Sequence, residues 1–559
     1  MSERSPIEDI KERSAFLAGS IGIELTDGTE RFEADTTQVL KFHGIYQQDD
    51  RDARKQRRAR GLDRDWIMMV RAAVPGGRLT ADQWLVMDRL ADEVGDGTLR
   101  ITSRQGVQWH HTRKRDLRHL ISTLNRSLVT TLGACGDVVR NTMACPAPLP
   151  GRAAVRPYVD ALAAHFRPRT RAYYHIWVDG ERAVTAQAGD PEPVYGPTYL
   201  PRKFKIAFSH PGDNCTDVYS HDVGIVPHLD GDEVAGFTVL VGGGMGRSHN
   251  QPDTFPRISD PLAYVAAHEL VEVVEAIVAT QRDYGERFDR KHARLKYLVA
   301  YWGLEDFKLA VERRLGRALA PPRPLEWASA DDHLGWHTQP DGRWFLGVPV
   351  ENGRVSDDGA RLRSGLREVI EQVRPGIYLT PSQNLLLAGV ADHERARVDR
   401  ILAAHGIPVA GEVPVTIRSS MACVALPTCG LALTDAERAL PRVIRELTAT
   451  LGALGLGDES VQVRMTGCPN GCARPYNSEV GLVGRRSGHY DIHLGADTLN
   501  RRLNFPAAET VPESEIVATL APLLTAWRDR RLAGESFGDF CHRMGAYAIS
   551  RLLERRASA

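Results

Sequence analysis

The stretch "DWIMMVRAAVPGGRLTADQWLVMDRLADEVGDGTLRITSRQGVQW", beginning at Asp65, changes its apolar rhythm twice. An apolar run stops at a Gly-Gly-Arg turn, apolar residues then recur at helical spacing, and a short extended segment follows. The pattern predicts strand, turn, amphipathic helix, strand. From Arg343 the chain reads "RWFLGVPVENGRVSDDGARLRSGLREVIEQVRPGIYLTPSQNLLL" and runs through the same order. Trp66 aligns with Trp344, Thr102 with Thr380 and Gln105 with Gln383, at one offset apart from a small gap at the turn. A second pair of matches sets "FKIAFS" (Phe204–Ser209) against "VQVRMT" (Val461–Thr466), and "DVGIV" (Asp222–Val226) against "EVGLV" (Glu479–Val483). The chain is therefore written twice, in the order A-B-A′-B′, and each unit mixes helices with strands, which predicts an α+β fold with a pseudo-two-fold internal repeat.

The copies differ in charge. Read as one strand, "LRITSRQGVQW" carries Arg100, Thr102, Arg104 and Gln108 on a single face, where the second copy has Tyr378, Thr380, Ser382 and Leu386. Likewise Lys203 and Lys205 share a face of "RKFKIAF", and the second copy has Ser460 and Gln462. One half has kept a cationic surface that the other lacks. This division suggests one composite site between the halves; the alternative is a set of solvated basic strands.

With 559 residues, 71 basic and 71 acidic, the chain has room for several domains, and its net charge favours neither nucleic acid nor membrane partners. Its N-terminus lacks the basic-then-apolar layout of a secretory signal, and no apolar run is long enough to span a bilayer, so a cytoplasmic location is expected. Eight cysteines in such a chain do not make a disulfide scaffold. Four of them fall into two tight pairs, Cys423 with Cys429 and Cys468 with Cys472, in Gly/Pro-rich loops. The five-residue gap in the first pair fits a zinc knuckle poorly. Four thiolates suit a 4Fe–4S cluster in number and softness, and "TGCPNGC" is small enough for backbone N–H groups to approach sulfur. Cys215 and Cys541 read as ordinary small hydrophobes.

The quartet, with "KFHGIYQQDDRD", "MMVRAAVPGGRLT", "LRITSRQGVQWH", "GDVVRN", "LPRKFKIAF" and "GFTVLVGGGMGR", resembles the sirohaem-and-cluster sulfite/nitrite reductase family along nearly the whole chain. "HGIYQQDDRD" and "GDVVRNTMACPAP" look sulfite-type, nearest to assimilatory sulfite reductases of the ferredoxin-dependent kind. The resemblance implies a three-domain architecture. After an N-terminal arm (1–64), ferredoxin-like repeats 65–130 and 343–408 form one domain, 131–342 binds sirohaem and substrate, and 409–559 holds the cluster and sirohaem.

It also implies the site. Arg100, Thr102, Arg104, Gln108 and Asn470 match cofactor contacts, and arginine forks suit the macrocycle's carboxylates. "RKHARLKY" offers Lys291, Arg294 and also Lys296 at helical spacing, though a solvated basic helix is an alternative reading. Cys472, last of the four, would bridge the cluster and the haem iron. Arg71, Arg140, Lys203 and Lys205 would surround sulfite, the lysines also serving as proton donors. Some family members join a cysteine and a tyrosine at the positions of Cys135 and Tyr46 by a thioether; a buried thiol beside a hydrogen-bonded phenol is the alternative. The glycines of "VGGGMGR" lack the full dinucleotide pattern and are read as a tight turn near the cofactor edge. Without a flavin or nicotinamide module, electrons come from another protein. The basic stretch Arg51–Asp65 is a solvated helix or a docking face for an acidic carrier. It lacks the interleaved aromatics of an RNA-binding surface. The expected activity is six-electron reduction of sulfite to sulfide with electrons from ferredoxin. Alternatives are the haemoprotein subunit of an NADPH-dependent enzyme, a nitrite reductase, and a non-catalytic metal- or RNA-binding protein.

Overall fold

The computed structural model describes residues 4–170, 176–178, 181–184 and 192–557. Four five-stranded sheets carry the architecture, and each copy of the repeat supplies two of them. In the first sheet the order is Ile45–Asp49, Trp66–Ala72, Val107–Thr112, Leu99–Ile101 and Arg354–Val355. In the second it is Gly335–Thr338, Trp344–Val348, Leu385–Val390, Gly376–Leu379 and Arg78–Leu79. The last strand of each belongs to the other copy: Arg354 pairs with Arg100, and Arg78 with Tyr378. This exchange closes one edge of each sheet and merges the two units into one core, in which Leu79, Ile101, Val355 and Leu379 are buried together.

The residues shared by the two copies mark this exchange. Gln105 and Gln383 both adopt left-handed backbone in the hairpin turn after the exchanged ladder. The Gln105 carboxamide donates at 2.8 Å to the carbonyls of Leu379 and Ala144, reaching into the other copy, while Gln383 turns its amide toward the carbonyl of Ile101. A side chain that satisfies a buried carbonyl of the partner unit is hard to replace.

The third sheet runs Asp260–Ala266, Glu233–Val241, Val223–Asp230, Ile206–Phe208, Met143–Ala144. The fourth runs Phe505–Pro512, His489–Leu494, Val480–Arg486, Val463–Thr466, Met421–Ala422. Both have parallel inner pairs, with Val223 beside Ile206 and Val480 beside Val463. The two sheets meet at a buried ionic centre. Asp217 and Arg474 stand at equivalent points of the repeat, both left-handed, and are ion-paired to each other. Arg464 adds a bond of 2.7 Å to Asp217, and Asn477 donates to Ser220, its counterpart in the repeat, at 2.8 Å. Among the described residues no helix is long and apolar enough to cross a membrane.

Two local expectations need correction. "LRITSRQGVQW" is not one strand: the chain reverses between Leu99–Ile101 and Val107–Thr112. The Thr102 hydroxyl accepts from the amides of Arg104 and Gly106 and closes the turn. Alternation along a strand therefore cannot align these residues; Arg100 and Gln108 share a face because they pair across the hairpin. "RKHARLKY" is not a helix throughout either. The helix is Leu295–Trp302, Arg294 caps it in extended conformation, and Lys291 lies before it, exposed.

Candidate active site

The two cysteine pairs follow two neighbouring parallel strands of the fourth sheet, Met421–Ala422 and Val463–Thr466. Cys423 follows the strand Met421–Ala422, and its amide bonds the carbonyl of Met465 on the neighbouring strand. The Gly467 amide points at the Cys423 sulfur at 3.4 Å, and the Asn470 carboxamide at the Cys468 sulfur at 3.3 Å. Burial and then the neighbouring thiols Cys472, Cys468 and Cys429 push Cys423 well above the usual thiol range. The four thus sit within one another's field, an arrangement that needs a metal charge to hold them as thiolates.

The loop between Cys468 and Cys472 has little freedom. Gly471 is left-handed, φ +62°, and a Cβ there would lie 2.8 Å from the Met245 carbonyl. A Cβ on Gly246 would lie 3.1 Å from the Asn470 carbonyl. The "GGGMGR" loop and the "CPNGC" loop therefore touch backbone to backbone, joined by the Arg247 amide bonding the Pro469 carbonyl at 2.8 Å. Lys296 clamps the glycine loop from below through the carbonyls of Gly244, Gly246 and Phe255. The glycine run, expected as a tight turn near the cofactor edge, is the wall against which the cluster loop packs.

Opposite the cysteines stands a crowd of cations. Lys203 and Lys205 precede the strand Ile206–Phe208, and the Lys205 amide is fixed by Asp222 at 2.8 Å. Burial, then the guanidinium groups of Arg140, Arg294 and Arg202, depress the Lys203 ammonium to about 7. Lys205 is pushed down harder, by burial and then by Lys203, Arg104 and Arg294; Cys472 is the negative group that opposes this at both lysines. Arg104, at the hairpin turn, donates at 2.6 Å to the Asn141 carbonyl and at 3.0 Å to that of Ile206, and its Nε has no partner. Ser103 of the same turn bonds the Cys472 carbonyl at 3.0 Å. The hairpin turn, the lysine segment and the last cysteine therefore face one space. So many half-buried cations with so little opposing charge, and an orphaned guanidinium N–H, fit a group that brings several carboxylates and a small anion.

A second cationic cluster adjoins it. Arg71 donates to the Cys135 sulfur at 2.8 Å, and the Gln108 carboxamide oxygen accepts from Arg71 at 2.6 and 3.2 Å. Arg140 bonds the Tyr46 phenol, whose ionisation is pushed up by burial first and then by Cys135. Tyr46, Cys135, Arg71 and Arg140 are thus brought together.

Three expected residues have other partners. Arg100 pairs with Glu437 at 2.9 Å and donates to the Ala422 carbonyl, next to Cys423. Arg294 forms a two-pronged ion pair with Asp222 at 2.7 and 3.1 Å. Lys291 is exposed, its amide donating to the Asp289 carboxylate at 2.9 Å. Asp222, Glu437 and Asn141 escaped sequence reasoning. Only the alignment of Asp222 with Glu479, which fixes the Gln462 amide in the second copy as Asp222 fixes Lys205, carried a signal.

Four thiols beside a cation-lined space are the side-chain set of an iron–sulfur protein with a site for an anionic group. A family model described as nitrite/sulfite reductase ferredoxin-like half domain matches residues 63–127 and 337–405, and one described as nitrite and sulphite reductase 4Fe-4S domain matches 160–319. The chain belongs to the nitrite and sulfite reductase family. It is 44% identical to a protein named sulfite reductase [ferredoxin] from Synechococcus elongatus, over 98% of this chain and 91% of that one. It is 43% identical to a sulfite reductase [NADPH] hemoprotein beta-component from Myxococcus xanthus, over 97% and 96% of the two chains. The solved structure of the Mycobacterium tuberculosis NirA protein shares the fold, with TM-score 0.77 and 23% identity over 97% of this chain and 95% of that one. The enzyme's cofactors are sirohaem and a 4Fe–4S cluster. The family model named for the cluster matches the first B unit, whereas the four cysteines lie in the second.

Proposed function

We propose that the protein reduces sulfite to sulfide by six electrons, and that ferredoxin supplies them. The observation that carries this reading is the hairpin turn 102–106, whose Ser103 hydroxyl bonds the Cys472 carbonyl at 3.0 Å while Arg104 bonds the Ile206 carbonyl beside Lys205 at 3.0 Å, so that one turn joins the last cysteine to the cationic segment. Cys423, Cys429, Cys468 and Cys472 would hold the cluster, and Cys472 would also serve as a ligand of the sirohaem iron. Sirohaem, when bound, supplies the iron that takes sulfite and the electrons. Arg104, Arg294 and Asn470 would meet its edge, with Arg100, Thr102 and Gln108 positioning the loops and Arg71. Arg71, Arg140, Lys203 and Lys205 would bind and orient the anion, the two arginines as permanent charges that favour its ionised form. Lys203, with its ammonium drawn down to about 7, gives up a proton readily near neutral pH and is the best placed donor.

Donor docking falls on the basic helix Arg54–Ala59, whose residues are not buried. Arg51, just before it, donates to the carbonyls of Cys429 and Ala432 and so ties this surface to the cluster loop. An acidic carrier seated there would stand next to the cluster. The second reading, a haemoprotein that works with an NADPH-oxidising flavoprotein, has the M. xanthus likeness in its favour. The domains proposed are 65–130 with 343–408 as one, 131–342 as the second and 409–559 as the third, after an arm over 1–64, in a cytoplasmic enzyme; strands Ile45–Asp49 and Gly335–Thr338 join the exchanged sheets from outside those bounds. Sulfide production assayed with reduced ferredoxin, and separately with NADPH plus a flavoprotein, tests the donor; a purified protein without a Soret band refutes the reading altogether. Tyr46 and Cys135 share Arg71 and Arg140 as neighbours, and a thioether between the Cys135 sulfur and the Tyr46 ring is proposed, formed by loss of the S–H and one ring C–H hydrogen to a two-electron oxidant such as dioxygen. A linked peptide pair lighter by a pair of hydrogens demonstrates it, and unmodified Tyr46 with alkylatable Cys135 in active enzyme refutes it.

A further inference from the structure

Away from the site just described, four side chains of metal-ligating type converge: Cys145, Asp213, Cys215 and His333, whose ligand atoms all lie within 4.8 Å of one another. They come from three distant segments. Cys145 directly follows the edge strand Met143–Ala144, Asp213 ends the short strand Gly212–Asp213, and His333 stands in the left-handed bend before Gly335–Thr338. The contacts are Asp213 to His333 at 3.0 Å, Cys145 to Asp213 at 3.6 Å and Cys145 to His333 at 3.7 Å. Tetrahedral bonds of about 2.0–2.3 Å place ligand atoms roughly 3.3–3.8 Å apart, so these separations need little change to close on an ion. Asp213 and Cys215 are buried, and Cys145 and His333 are half-buried.

We propose that these four residues form a structural zinc site. Two sulfurs, one imidazole nitrogen and one carboxylate oxygen make a mixed set that suits a borderline-soft divalent ion, and four protein ligands leave no open position for chemistry. The supporting groups are in place. The second Asp213 oxygen accepts from the Cys215 amide at 2.9 Å, which fixes the carboxylate plane. Arg152, itself buried, lies 2.7 Å from the oxygen that faces the thiol. Two thiolates and a carboxylate around a divalent ion carry one net negative charge, and the Arg152 guanidinium cancels it. Binding releases the protons of the two thiols and the one His333 shares with Asp213. The ion would pin the segment before Gly335–Thr338, hence the second ferredoxin-like sheet, to the sirohaem-binding unit.

Zinc in the purified holoenzyme is measured by mass spectrometry of the metals and by X-ray absorption at the zinc edge, which the haem and cluster iron do not obscure. The expected result is one zinc per chain with two sulfur neighbours at about 2.3 Å and two lighter ones at about 2.0–2.1 Å. Cys215→Ser and His333→Ala should each lower zinc retained after dialysis by about tenfold or more, with Cys541→Ser unchanged. The wild-type spectrum decides even where a variant fails to fold. Holoenzyme lacking stoichiometric zinc, an all-light-atom zinc shell, or a Cys145–Cys215 disulfide in active enzyme overturns the proposal.

Discussion

Replacing Lys203 by Met should stabilise the protein without its cofactors while damaging the loaded enzyme. Met keeps most of the apolar stem and deletes the charge. In the folded chain the ammonium is depressed from the ordinary 10.5 to about 7, by burial and then by Arg140, Arg294 and Arg202. The folded value lies below the unfolded one, so the unfolded state binds the proton more tightly. Keeping the charge therefore costs stability in full below pH 7, and the cost fades as pH rises toward 10.5. A shift of this size corresponds to about 5 kcal/mol. Lys203 is only half-buried, and discounting for solvent screening leaves about 2 kcal/mol. Thermal unfolding of protein made in a sirohaem-deficient host should show the variant melting roughly 4–8 °C higher at pH 7, with the difference shrinking toward pH 10. With cofactors loaded, the same variant should reduce sulfite about tenfold more slowly or worse, since a charge-assisted contact to the anion is gone. A cofactor-free variant that melts at or below the parent at pH 7 would refute the claim that the cations are crowded and await anions.

Cys468→Ser should strip iron and acid-labile sulfide from the protein, because a hydroxyl replaces a soft thiolate, while Cys541→Ser, in the fourth-sheet core, leaves both intact. Gly471→Ala should lower cluster occupancy through steric conflict with the Met245 carbonyl and strain at positive φ, whereas Ala at Gly488, left-handed but open, should affect only local stability. Asp137 is buried among Arg290 at 2.8 Å, Lys11 at 3.7 Å and Arg202 at 3.8 Å. Burial alone would raise its pKa; Arg290, Lys11 and Arg202 reverse that and hold it at about 2. Its stabilisation is present above the unfolded value near 3.8 and is lost as pH falls through about 2, and Asp137→Asn should cost about 3–5 kcal/mol at pH 7, read from denaturant melts. Arg104→Ala should weaken sirohaem retention more than it weakens folding, measured as haem absorbance per chain after gel filtration.

Much of this molecule could be read from residue order, because its evidence was local or repeated. Two cysteine pairs in glycine loops announce their ligand chemistry by type and spacing, and the double occurrence of one pattern announces two-fold architecture without any contact being known. Loss of charge in one copy, lysine against serine and glutamine, singles out the half whose lysines lie among Arg104, Arg140 and Arg294. What residue order could not reveal depends on contacts between segments far apart in the chain. The exchange of Arg78–Leu79 for Arg354–Val355 costs nothing in local pattern, since an edge strand reads alike whichever sheet receives it. The hairpin at Thr102–Gly106 was hidden because a tight turn closed by a threonine hydroxyl keeps the polar alternation of a strand. Arg100 and Arg294 looked like free cofactor ligands until folding delivered Glu437 and Asp222 to them. Cys215 looked like a small hydrophobe because its neighbours Cys145 and His333 are brought to it only by the packing of three segments. A residue's type sets what it can bond, but its charge state and its role follow from which groups the fold leaves within reach of it.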